Sequence, residues 1–187
     1  PMLTVQFTSF PTLHTPRLLL RQPAPYDVPA LFQLRSSPLV MRYLGRVPMT
    51  DPVEAEQLLA TFTASFERQE GVLWAICKQE APTELLGTIC FWKMDKINHR
   101  TEIGYALHHN HWRQGIMDEA MTSTIEYCFK TLNFHSIEAN TDPANEASGR
   151  ILEKHGFIQE AYFRENFYFE GRFLDSRIYS KINPYHG

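Results

Sequence analysis

The sequence predicts an α/β protein: a single domain built on one mixed, mostly antiparallel sheet of about seven strands, with helices on both faces. Three features predict it. Three strand-like segments follow one another between Leu73 and His108, broken only by short polar turns, which is the pattern of an antiparallel meander. From Gly115 the apolar period becomes that of a helix, and a strand and a second helix follow it as a crossover unit. Two last strands flank Gly171 as a hairpin. With 187 residues, 43% of them hydrophobic, the chain can bury a substantial core, and no repeat, low-complexity tract or linker divides it.

Taken in order, "RLLLRQ" (Arg17 to Gln22) is the first strand, stopped by "PAPYD", whose Asp27 is placed to cap a helix over "VPALFQLRSS". Pro29 falls in that helix's first turn, where a missing amide is tolerated, and Pro38 closes it; a short second turn covers "PLVMRYL". A longer helix opens at Thr50 or Asp51 with Pro52 in first position and acidic residues early. The meander strands are "LWAICKQ", "ELLGTICFWKM" and "TEIGYALH". A helix then runs from Gly115 to about Leu132, followed by the strand "SIEANTD". The helix "NEASGRILEKHG" stops at Gly156, and "FIQEAYFRENFYF" pairs with "RFLDSRIYSKI".

The totals exclude several function classes. A charged fraction of 21% and a net charge of -3 make no electrostatic lure for nucleic acid, and the strand aromatics come with no basic groove, so no nucleic-acid partner is expected. No apolar run approaches the roughly 20 residues of a spanning helix, and no basic-then-apolar leader is seen, so no membrane association and a cytoplasmic location are expected. Cys77, Cys90 and Cys128 are odd in number and set in apolar contexts, which fits a reducing compartment rather than a disulfide framework.

The stretch "HHNHWRQGIMDEAM" (His108 to Met121) offers two chemistries. His108, His109 and His111 lack the spacing of a helical ligand pair and no Cys or paired carboxylate completes a set, so no metal is expected. "RQGIM" lies between a strand and a long helix, where successive backbone amides and the positive end of the helix dipole suit a phosphate or pyrophosphate without a lysine. Gly115 permits a backbone geometry or a close ligand approach that a Cβ would obstruct. Asp118 and Glu119, in the first helical turn, read as structural.

Taken together in this order, "TEIGYALHHNHWRQGIMDEAM" and "NTDPANEASGRILEKHGF" resemble the acetyl-CoA-binding core of the GNAT N-acetyltransferase superfamily, most of all its ribosomal-protein-alanine N-acetyltransferase (RimJ/RimL-like) branch. The resemblance runs from "TPRLLLRQPAPYD" to the final hairpin. It implies acetyl-CoA as co-substrate, its pyrophosphate held by the amides of Arg113, Gln114, Gly115, Ile116 and Met117. Two positions depart from the family loop: Trp112 stands where a Gln or Arg leads, and Met117 replaces a small residue, which could crowd it. The strand carrying Ile103 and Tyr105, bulky on one face and nearly bare on the other, would pair with the pantetheine arm where it splays from "SIEANTD".

An amine must lose a proton before it attacks a thioester, and Glu102, matching the glutamate of the family's "E-I-G-Y" segment, is the expected base; the alternative is a solvated strand carboxylate. The tyrosine that many relatives place four residues before the Gly of "GF" is here Leu152, so Ser148 is the expected hydrogen-bond or proton donor near the departing thiolate. Asn140 and Asn145 would satisfy an extended ligand or cap local backbone. The acceptor is expected to be a primary amine, either a small molecule or a protein N-terminus, with Arg42, Tyr43, Trp74, Trp92, Arg164 and Tyr168 as specificity positions; exposed strand edges allow a homodimer. The rival reading is a non-catalytic acetyl-CoA-binding module.

Overall fold

A computed structural model describes residues 1–186. Its strands are β1 (Leu13–His14), β2 (Leu18–Arg21), β3 (Val72–Lys78), β4 (Gly87–Asp95), β5 (Arg100–Leu107), β6 (Ser136–Thr141), β7 (Ile158–Phe169) and β8 (Arg172–Ile182). The helices are α1 (Val28–Ser36), α2 (Pro38–Met41), α3 (Pro52–Glu67), α4 (Ile116–Lys130) and α5 (Glu146–Lys154). All eight strands join one sheet in the order β1-β2-β3-β4-β5-β6-β8-β7, antiparallel except for β5 against β6. The strand beyond the expected seven is β1, two residues long and therefore without a readable period; it folds back on β2 through a turn in which Thr15 Oγ1 accepts from the Leu18 amide.

Two cores lie on opposite sides of the sheet. The larger, under α4 and α5, gathers Trp74, Phe91, Ile103, Ile116, Met121 and Phe129, with Trp74 fully buried and packed edge-on against Phe91 and Tyr127. The smaller joins Leu31, Leu34, Val40 and Ala55 of α1, α2 and α3 to Ala75, Cys77 and Ala106 of the sheet. Helices therefore cover both faces, because inward side chains alternate along each meander strand and each set needs an apolar partner.

Three of the five helices, α2, α3 and α5, start on a side-chain cap. At α3, Asp51 Oδ1 accepts from the Val53 amide at 2.9 Å, and Glu54 Oε2 accepts from the Asp51 amide at 3.1 Å, a reciprocal cap. Asp27, expected to cap α1, makes no such bond: its carboxylate takes both Arg21 guanidinium nitrogens at 2.7 and 2.8 Å and the Ala24 amide, pinning β2 to the short turn before the helix. A fixed, charged pair outcompetes a single capping amide. The β7–β8 hairpin turns through Glu170 and Gly171, both at positive φ, the conformation a two-residue turn requires. No helix among the described residues is long and apolar enough to cross a membrane.

Candidate active site

The sheet parts between its two parallel strands. β5 and β6 are registered over Arg100, Thr101 and Glu102 against Ser136, Ile137 and Glu138, and no further. Beyond that point β5 stays paired with β4 as far as Leu107, and β6 with β8 as far as Thr141. The gap opens into a cleft of about 420 Å³ lined by Glu102, Ile103, Tyr105, Asn140, Asn145 and Ser148, among others. Six of the residues singled out from the sequence thus come together.

The gap gives access to both faces of the sheet. Glu102 stands opposite Trp92 and Gly104 opposite Cys90, on the face covered by α1 and α3; Ile103 belongs to the core under α4. The nearly bare face of β5 is only partly open: Ala106 is buried in the smaller core, and Cys90 Sγ lies 3.1 Å from where a Cβ on Gly104 would stand.

Glu102 is no solvated strand carboxylate. It is 8% exposed, and burial raises its pKa, opposed by Lys93, whose Nζ lies 3.3 Å from Oε2; Glu138 pushes upward again. Lys93 reaches it because β4 is irregular between Trp92 and Asp95, with Lys93 at positive φ. On the other side of the gap the Tyr105 and Ser148 hydroxyls share a hydrogen bond of 2.5 Å, and burial drives the Tyr105 pKa up to about 12, against the pull of Ser148. Asn145 Oδ1 accepts from the Ser148 amide at 3.2 Å, so this side chain caps α5. Leu152 is fully buried in the larger core.

The loop before α4 lies outside the cleft lining. Trp112 anchors it by donating Nε1 to the Leu107 carbonyl at 2.7 Å. Arg113 and Gly115 both take positive φ, and α4 then starts without a side-chain cap, leaving its first-turn amides no side-chain acceptor. Met117 does not crowd the loop: its side chain, like that of Ile116, is buried in the larger core. Arg113 and Gln114 are exposed, and the Gln114 carbonyl accepts from Arg17 Nη1 at 2.9 Å. Glu119 binds Arg17 Nε at 2.9 Å, and Asp118 binds Lys154 Nζ at 2.6 Å and His155 Nε2 at 2.7 Å, so both acids tie α4 to its neighbours.

His108 and His109 stack at 4.3 Å between ring centres, His109 Nδ1 lies 3.3 Å from Ser37 Oγ, and His108 Nδ1 accepts from the Asn110 amide. Among the described residues no three His, Cys, Asp or Glu side chains gather as a metal-ligand set. Trp74, read from sequence as an acceptor-specificity position, is instead a core residue whose Nε1 donates to the Pro11 carbonyl. Tyr43 and Trp92 do line the cleft. Sequence reasoning missed Arg35, Arg46, Lys93 and the pairing of the Tyr105 hydroxyl. The arginines come from α1 and the loop after α2, far along the chain, and Lys93 arrives through a strand irregularity that no residue pattern announces.

A mixed sheet parted between parallel strands, an uncapped helix start beside it and a buried carboxylate within it define a frame for acyl transfer. The chain belongs to the GNAT acetyltransferase family, whose acetyltransferase (GNAT) domain matches residues 17–158. It is 36% identical over 175 residues to the uncharacterized N-acetyltransferase YoaA of Bacillus subtilis (strain 168), covering 94% of this chain and 98% of that one. Over 86 residues it is 31% identical to the [ribosomal protein uS5]-alanine N-acetyltransferase of Escherichia coli (strain K12), covering 46% of this chain and 44% of that one. The crystal structure of a GNAT-family acetyltransferase from Bacillus anthracis superposes with a TM-score of 0.82 at 25% identity, covering 92% of this chain and 98% of that one.

Proposed function

We propose that the protein is an acetyl-CoA-dependent N-acetyltransferase in which a primary amine, of a small molecule or a protein N-terminus, attacks the thioester directly within a ternary complex. The observation that carries this reading is the buried Glu102 at the point where β5 and β6 part. Burial favours the neutral carboxyl and so moves its pKa toward the range in which a carboxylate can take a proton from an ammonium and a carboxylic acid can give it up. The gap admits one substrate from each face of the sheet, so the two need not pass one another.

The chain fits coenzyme A on two independent features. The first turn of α4 has no side-chain cap behind Gly115 at φ +74°, where a Cβ would stand 3.2 Å from Arg17 Nη2. The edge of β5 from Ile103 onward has no strand partner on the β6 side. On this reading the amides from Arg113 to Met117 hold the pyrophosphate, and the Ile103 and Tyr105 stretch receives the pantetheine arm. Asn140 and the free amide group of Asn145 line its path. Bound acetyl-CoA supplies the activated acyl group. Glu102 takes the amine proton, directly or through water, and the Tyr105–Ser148 hydroxyl pair stabilises or protonates the departing sulfur, in place of the tyrosine absent at Leu152.

The test is release of free coenzyme A from acetyl-CoA across a panel of amines and short peptides, with Glu102→Gln and Ser148→Ala beside the wild type. Glu102→Gln is expected to lower kcat by about 10² to 10⁴ while acetyl-CoA affinity is retained, and Ser148→Ala to lower it less. A non-catalytic acetyl-CoA-binding module would be indifferent to both substitutions and give no turnover with any amine.

A further inference from the structure

We infer that the acceptor carries an anionic group, a carboxylate or phosphate, received by Arg35 and Arg46 while its amine faces Glu102. This rests on the acetyltransferase reading and names the class of amine it acts on. Arg35 sits in the last turn of α1 and lines the cleft; its Nε is shut off from solvent and has no hydrogen-bond partner. Its charged neighbour is a second arginine: burial, then Arg46, lowers its pKa. The Cys90 thiol beside it does not supply a negative charge, because burial pushes its pKa up to about 12. Among the described residues neither arginine is in an ion pair. A buried, unsatisfied charged donor is costly, and a like-charged neighbour adds to that. An anion in the cleft offsets the like-charge repulsion between them.

The acids lining the cleft do not supply that anion. Glu102 is paired with Lys93, Asp142 Oδ1 accepts from the Ala144 amide, and Asp175 takes the Tyr162 hydroxyl and the Glu165 amide. Trp92 lies against a member of each charge system. Lys93 Nζ lies 4.3 Å from its ring centre, the Arg46 guanidinium carbon 6.0 Å from it, and Trp92 is the registered cross-strand partner of Glu102. Base, aromatic wall and paired guanidinium groups thus lie in one cleft, an arrangement that holds a bifunctional amine by its anionic end. A polyamine would bring more positive charge against Arg35 and Arg46.

The experiment measures coenzyme A release with acceptors matched in size and differing in one group: amino acids against their amides, peptides with an acidic or an amide side chain near a free N-terminus, and aminoalkyl phosphates against amino alcohols, with spermidine as the cationic control. The free acids and the peptides distinguish a small-molecule source of the anion from a protein one. Anionic members of at least one series are expected to exceed their neutral partners at least tenfold in kcat/KM. Arg35→Gln and Arg46→Gln are expected to remove that ratio by raising KM for the anionic member. Arg46 is exposed, so its variant keeps the test alive if Arg35→Gln does not fold. Equal kcat/KM for charged and neutral partners, or a ratio unchanged in Arg46→Gln and in a folded Arg35→Gln, overturns the inference. Absence of turnover with every acceptor counts instead against the acetyltransferase reading. Thermal shift with succinate or inorganic phosphate then decides the anion site alone: stabilisation of the wild type that Arg46→Gln lacks supports it, and no stabilisation overturns it.

Discussion

Glu102, the proposed base, sits where burial disfavours its charge. Its burial raises the carboxyl pKa above the unfolded value, so the folded chain holds this proton more tightly than the unfolded one does. The contribution to stability therefore falls as pH rises from the unfolded pKa of about 4.3 through the folded value, and above both the full penalty remains. Lys93 offsets part of it, but its side chain is 59% exposed, and a pair with one solvated end is worth about 1 kcal/mol at most. Glu102→Gln, which keeps the shape and removes the charge, is accordingly expected to melt higher than the wild type at pH 8, with the difference shrinking toward pH 4. Thermal unfolding at both pH values checks this. A variant less stable at pH 8 would mean that the Lys93 pair outweighs burial and that the carboxylate is held charged.

At the scale of elements, the starts of α4 and α3 differ in how their first-turn amides are satisfied. α3 satisfies its own amides through Asp51 and Glu54, whereas α4 begins at Gly115 without a side-chain acceptor. Gly115→Ala places a Cβ in a left-handed conformation, costing about 1 to 2 kcal/mol, and sets it against the tip of Arg17. The expected result is a loss of acetyl-CoA affinity of tenfold or more with kcat little changed. Asp51→Ala should cost about 1 kcal/mol of stability and leave that affinity alone. Calorimetric titration of both variants separates the two roles. Caps, prolines and glycines of this kind act within a few residues, which is why helix limits and the Gly171 turn were legible in the sequence. The period of "TEIGYAL" likewise puts Glu102 and Tyr105 on opposite faces of the strand. What escaped depends on distant partners: Arg21 drawing Asp27 away from its cap, a strand irregularity swinging Lys93 to Glu102, and Arg35 of α1 lining the same cleft as β5. A two-residue strand such as β1 has no period to read.

For the molecule as a whole, the decisive feature is a sheet that forgoes pairing at its middle. Most of β5 beyond Glu102 and the matching stretch of β6 lack each other as partners, and buried backbone groups left without partners are costly. The two cores on either side pack against both strands and maintain the gap, and on the proposed reading the co-substrate supplies the hydrogen bonds these edges lack. A ligand that supplies them binds the folded chain alone and stabilises it: at a hundredfold excess over Kd the gain is about 2.7 kcal/mol, and for a chain of this size about 5 to 10 °C in Tm. The location of the effect is more telling than its size. Amide hydrogen exchange with and without coenzyme A should show new protection along Ile103 to Leu107 and in the first turn of α4, while β7 and β8, paired with each other on the far side of β6, change little. Protection confined to the β7–β8 hairpin, or spread evenly over the sheet, would place the co-substrate elsewhere and take the gap between β5 and β6 out of the mechanism.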